Sequence, residues 1–199
     1  MRAFAILLLG FTGCIGDGDA STLGGDIVGR WRILPNTAAD DPPDPIADRQ
    51  VLQFNADNSY TESENGRTTT GSYTIENGEL ELLGQDETEG VRVPYLATND
   101  RFVFGVLLRP EGSADDFVGT WTATIGTPED VSTLTIDLAA DLTSQVEYDD
   151  AARAGQVYDG TWRAVNDDLE VEYMPQENFT VHIRATRVAG VLGTAYERI

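Results

Sequence analysis

Ile27-Val28-Gly29-Arg30-Trp31 and Phe117-Val118-Gly119-Thr120-Trp121 are two copies of one pattern, 90 positions apart: two apolar residues, then Gly-x-Trp. Each copy opens a series of short segments in which apolar and polar residues alternate. A repeat of this period with strand-like patterning points to two copies of one all-β unit. In the first unit the alternation predicts strands over about Ile27–Leu34, Val51–Asn55, Tyr60–Glu64, Thr70–Glu76, Glu79–Leu83, Val91–Leu96 and Arg101–Leu108. Turn chemistry separates them: Ala56-Asp57-Asn58-Ser59, Asn65-Gly66 and Asn77-Gly78, the last favouring positive φ at both central positions.

The plan recurs after Phe117. Thr133–Leu138 alternates, Ala139-Ala140-Asp141 matches Asn55-Ala56-Asp57, and Leu142–Tyr148 returns. Gly160–Val165 mirrors Gly71–Ile75, and Asn166-Asp167 replaces the Asn-Gly turn. Leu169–Glu172 and Phe179–Ile183 follow, and Val188–Arg198 reads as the closing strand. Strands in sequence-adjacent order with short turns predict up-and-down antiparallel topology. The expected fold is all-β, with two tandem small antiparallel barrels of about seven strands each; one undivided sheet would contradict it. The expected organisation is a signal segment over 1–13, a tether over 14–26, units over 27–109 and 117–199, and a linker over 110–116.

Charge narrows the partners. Formal net charge is -21, and all 13 basic residues are Arg. Nucleic acid is excluded, because its phosphates require a basic footprint that this chain lacks. Two readings of the acidity stay open: a solvated surface that keeps the chain soluble, and adaptation to high salt. The long acidic loop Pro35–Asp48 contains four prolines and none of the ligand spacing of a calcium loop.

The single cysteine, Cys14, allows neither an intramolecular disulfide nor a thiolate metal site. It follows Met1-Arg2, the apolar run Ala3–Phe11, and Thr12-Gly13. That run is too short to span a bilayer and reads as an export signal. The only histidine, His182, shares its register with Thr180 and Arg184, opposite Phe179, Val181 and Ile183, so it is expected to face outward. With no second histidine and no mature thiol beside it, no nucleophilic triad or zinc site can be assembled. No catalytic residue, metal or cofactor is therefore assigned, and the chain is not read as an enzyme.

Two resemblances sharpen these expectations. Phe11-Thr12-Gly13-Cys14 resembles the lipobox of bacterial lipoproteins, in which the cysteine is acylated and becomes the mature N-terminus. This implies a chain exported and anchored by lipid to the cell envelope, of the bacterial outer-membrane kind. Gly29 and Trp31, Leu52 and Phe54, Asp57, Gly71 and Tyr73, and Leu80 and Leu82 resemble the small lipocalin-like domains of such lipoproteins. Gly119, Trp121, Asp141, Gly160, Trp162, Leu169 and Val171 keep most of that pattern. In that group an Arg near the chain end packs over the first-strand Trp, which implies Arg109 on Trp31 and Arg198 on Trp121. The implied function is binding of a small apolar ligand inside a barrel. Its candidate lining is Phe54, Tyr73, Leu82, Phe102 and Phe104 in the first unit and Leu138, Trp162, Val171 and Ile183 in the second. The alternative is a structural or protein-interaction envelope lipoprotein whose barrels are filled by those side chains.

Overall fold

The computed structural model describes residues 24–39, 49–113, 116–127, 130–149, 155–177 and 179–199. The signal segment, Cys14, the tether up to residue 23 and most of the acidic loop lie outside the described residues. The first repeat supplies β1 (Gly29–Ile33), β2 (Val51–Phe54), β3 (Ser59–Glu64), β4 (Arg67–Glu76), β5 (Glu79–Gly84), β6 (Val91–Ala97) and β7 (Arg101–Pro110). The second supplies β8 (Gly119–Thr127), β9 (Asp130–Leu138), β10 (Thr143–Asp149), β11 (Gln156–Val165), β12 (Asp168–Gln176), β13 (Phe179–Val188) and β14 (Val191–Arg198). Several boundaries differ from the sequence reading: β4 starts at Arg67 and β11 at Gln156, and β13 runs to Val188. The expected strand Val188–Arg198 contains a turn at Ala189-Gly190 (φ 48° and 87°) that joins β13 to β14.

Each strand pairs antiparallel with the next in the chain, and β14 pairs with β1, so all fourteen belong to one sheet closed into a ring. A further antiparallel ladder between β7 and β14 bridges the ring, with Tyr196 opposite Phe102 and Ala195 opposite Val103. Both strands divide their remaining edge. β7 pairs with β6 through Phe102–Phe104 and with β8 through Arg109 and Pro110. β14 pairs with β13 through Val191–Gly193 and with β1 through Tyr196–Arg198. The bridge leaves two circuits: β1–β7 completed by β14, and β8–β14 completed by β7.

The antiparallel meander is as expected, but two separately closed tandem barrels are not what forms. The first strand of each repeat is closed by the last strand of the other. An open seven-strand sheet exposes unpaired backbone along both edges. Pairing across the duplication covers one end of each such edge: Trp31–Ile33 of β1 against β14, and Trp121 and Thr122 of β8 against β7.

The core follows this division. One cluster joins Trp31, Leu52, Phe54, Tyr73, Leu80 and Tyr95 to Tyr196 from the second repeat. Another joins Trp121, Ile136, Val146, Trp162 and Leu169 to Leu108 from the first. A third, smaller cluster of Leu96, Val103, Leu107, Val188 and Ala195 covers the opposite face of the shared ladder. Alternation along β7 explains the split: Phe102 and Leu108 enter the two main clusters, and Val103 and Leu107 enter the third.

The repeated motif has a mechanical reason and begins one residue earlier than its apolar pair. Asp26 Oδ1 accepts from Val28 N at 2.9 Å, and Asp116 Oδ1 accepts from Val118 N at 3.2 Å. The turn so fixed carries Gly29 and Gly119 at φ 142° and 132°, where a side chain is disfavoured. Two residues on, each indole donates to the carbonyl four positions back: Trp31 Nε1 to Ile27 O at 2.7 Å, and Trp121 Nε1 to Phe117 O at 2.8 Å.

At Trp31 the expected Arg–Trp contact is supplied by the arginine of the other repeat. Arg198 lies over Trp31, with Cζ 4.4 Å from the ring centroid, and not over Trp121. Its guanidinium also donates to Val28 O and Asp26 O, at 3.0 and 3.2 Å. Arg109, expected on Trp31, instead has its backbone registered with Thr122 of β8, beside the Pro110–Trp121 pair. The cause is topological, because β1 lies beside β14 and β8 beside β7.

Candidate functional site

All nine positions expected to line a cavity face an interior. Phe54, Tyr73 and Phe102 are buried in the first core, with Leu82 and Phe104 packed against it. Leu138, Trp162 and Val171 are buried in the second, with Ile183 packed against it. In the first unit these side chains meet one another. Phe54 makes an edge contact with Tyr73 at 5.1 Å and another with Phe102 at 5.7 Å, and Phe102 stacks on Phe104 at 5.1 Å. Such spacings are direct ring-on-ring contact.

The first interior also holds a buried polar chain. Tyr196 donates its phenol hydrogen to Gln50 Oε1 at 2.5 Å, and Gln50 Nε2 donates to Glu62. Burial pushes the Tyr196 phenol far above its ordinary range, and the nearby Glu62 and Glu64 charges add to this. Tyr196 is therefore fixed as a neutral donor, which suits a structural strut joining β14 to the first unit.

The second interior is graded from one end to the other. Along β13, Ala185 is buried, Ile183 and Val181 are half-buried, and Phe179 is 58% exposed. Along β8, Trp121 and Ala123 are buried and Ile125 is half-buried; along β10, Ser144 and Val146 are buried and Tyr148 is half-buried. The closed end is sealed by Trp162, whose Nε1 donates to Ala139 O at 2.8 Å, and by Phe117, whose ring lies 6.4 Å from Trp162. The other end opens.

Three tyrosines stand where burial falls off. Tyr148 and Tyr173 share a hydrogen bond between hydroxyls at 2.8 Å, and the Tyr158 ring lies 5.6 Å from that of Tyr173. Tyr158 donates to Gln156 Oε1 at 2.5 Å. Above them lies an open depression of about 750 Å³, lined by Gln156, Tyr158, Pro175, Gln176 and Phe179. Two amides, two aromatic rings and a proline, with no charged side chain, suit an uncharged ligand that offers both an apolar face and hydrogen-bonding groups.

The aromatic cluster arises from a size exchange between the repeats. In the first unit Gly71 is registered with Gly84, and Tyr60 packs against Gly71. In the second, Gly160 is registered with Tyr173, and the position of Tyr60 is taken by Ser144. The bulk moves from β3 to β12, which aims Tyr173 towards Tyr148. Ser144 Oγ is left buried with no hydrogen-bond partner among the described residues.

The charged groups outside this end are structural. Glu170, only 2% exposed, accepts from Arg163 and from Arg184 Nε at 2.8 Å, on the outer face of β11–β12–β13. Removal from solvent raises its pKa, but the hydrogen bonds and charges of Arg184 and Arg163 outweigh that and hold the carboxyl below its ordinary value. His182 faces outward as expected, with Nδ1 3.4 Å from Glu170 Oε1. Asp168 fastens the segment after β1: it accepts from Thr37 N at 2.8 Å, from Thr37 Oγ1 at 2.5 Å and from Thr186 Oγ1 at 2.6 Å. Among the described residues no three His, Cys, Asp or Glu side chains are grouped to hold a metal ion.

None of the nine expected lining residues borders the depression, and the residues that do were not singled out in the sequence. Their signal was present as alternation. Tyr158 and Gln156 continue the face of Trp162 two and three alternation steps upstream, but they lie before the expected strand start at Gly160. Phe179 shares the register of Val181 and Ile183, and its exposure at the strand end has no sign in that register. Comparison of the chain with protein-family models, curated proteins and solved structures finds no match.

Proposed function

We propose that this chain is an exported envelope protein, anchored by lipid at Cys14, that binds a small uncharged ligand with a substantial apolar face at the open end of its second unit. The two circuits are read as lipocalin-like barrels that share the β7–β14 ladder. The stepwise loss of burial from Ala185 to Phe179 carries this reading, since it marks one end of one unit as accessible. A depression of about 750 Å³ falls within the roughly 300–1,000 Å³ of small-molecule sites. The position of the sole cysteine directly after Gly13 supports the anchor. The first unit fits the alternative reading better: its aromatic contacts make it a filled structural module.

Native mass spectrometry of protein purified from its source tests the ligand, and the mass of the mature N-terminus tests the anchor. A titration with the neutral apolar dye Nile red tests the site. Saturable binding weakened about tenfold in Phe179→Ala and in Tyr158→Ala is expected. Binding unaffected by either substitution, with no co-purifying small molecule, would overturn the ligand reading.

A further inference from the structure

We propose that the open end of the second unit faces the membrane to which Cys14 anchors the chain, and that its apolar rim docks on a net-neutral lipid surface. The proposal rests on the anchored reading above. It starts from the first described residue. Gly24 pairs with Leu96 at the end of β6, with Gly24 N donating to Tyr95 O at 3.2 Å and Ala97 N donating to Gly24 O at 2.8 Å. That end of the first unit is level with Arg101, where β7 begins. Nine residues separate Cys14 from Gly24, a reach of roughly 35 Å at most.

Strand direction then fixes which way the second unit opens. β14 runs antiparallel to β7, with Glu197 opposite Arg101, so β14 points towards the level of Gly24. In an antiparallel meander β8, β10 and β12 run the same way as β14. They end at Thr127, Asp149 and Gln176, and Gln176 lines the depression. The open end and Gly24 therefore lie on the same side of the molecule, and the corresponding end of the first unit lies on the opposite side.

The rims differ accordingly. Around the second opening Val131 is 51% exposed, Val157 50%, Met174 58% and Phe179 58%. The matching rim of the first unit is polar, at Glu64, Asn65, Arg67, Thr68, Gln85 and Asp86. The closed ends, by contrast, match: Val28 and Val118 are both exposed, as are Ile75 and Val165. The fold repeats itself at the closed ends and differs at the open end on the side of Gly24. Large apolar side chains grouped at one end of a chain of net charge -21 suit a surface that is apolar beneath its headgroups. Asp149 and Glu177 beside the rim would be repelled by anionic lipid, which selects a net-neutral surface.

Amide hydrogen exchange on the full acylated chain in phosphatidylcholine vesicles tests this, against the Cys14→Ser chain in solution. Exchange at least fivefold slower over Met174–Val181 and Gln156–Tyr158, with Glu64–Thr69 unchanged, is expected. The protection should vanish in a Met174→Ser/Phe179→Ser variant that stays anchored through Cys14. An acylated chain with no protection at this rim, or with protection at Glu64–Thr69 instead, overturns the docking and leaves the anchor standing. A mature N-terminus without acyl chains overturns both, while Nile red binding by the Cys14→Ser chain judges the ligand site separately.

Discussion

Leu142 sits in the turn between β9 and β10 at φ 68°, a conformation that a branched side chain disfavours. Asp141 Oδ1 holds the turn by accepting from Thr143 N at 3.1 Å and Thr143 Oγ1 at 2.6 Å. In the first repeat Asp57 does the same for Ser59, and the left-handed residue there is Asn58 at φ 64°. Asparagine tolerates this region and leucine does not. Leu142 is also 53% exposed, so replacing it forfeits little packing. Leu142→Asn should therefore stabilise the protein by about 1 kcal/mol, read as a higher denaturant midpoint with unchanged slope. At this scale much was legible in the sequence: the aspartate turns, Gly-x-Trp and Asn77-Gly78 act through neighbours a few residues away. Ala189-Gly190 was not, because alanine gives no sign of positive φ.

At the scale of strands, β12 carries the buried charge. Glu170 is registered between Arg163 on β11 and Arg184 on β13, so one carboxylate satisfies two neighbouring strands. Its folded pKa is lowered, so the stabilisation is full above the ordinary carboxylate value of about 4.3 and is lost as pH falls through the folded value. Glu170→Gln should cost about 1–3 kcal/mol at pH 7, from buried hydrogen bonds weakened and two guanidinium groups left without their counter-charge. The same variant should lose less melting temperature than the parent between pH 7 and pH 3; an equal loss would assign the acid sensitivity to other groups. Strand existence and facing were largely readable, because alternation is a local property. Strand closure was not. Nothing in Trp31 or Arg198 alone records that β1 lies beside β14, and tandem repeats suggest self-closure until both free edges of each unit are considered.

For the whole molecule, 34 acidic residues against 13 arginines create self-repulsion that ion pairs such as Arg32–Glu197, at 2.6 Å, offset only locally. Screening shortens from about 10 Å at 0.1 M salt to about 3 Å at 1 M. The melting temperature should therefore rise with sodium chloride, by about 2–4 °C for each kcal/mol of repulsion relieved. A melting temperature independent of salt would show that the acidic groups are too far apart to matter. The candidate site was the least legible feature. It depends on where burial runs out along strands whose inward faces were recognised, and on how two repeats are set against each other. That setting rests on the shared ladder, and backbone nuclear Overhauser effects test it most directly. Cross-strand contacts between Arg32 and Glu197, and between Phe102 and Tyr196, are expected. Contacts from β1 to β7 in place of β14 would mean that each repeat closes on itself, and would contradict the interlocked architecture.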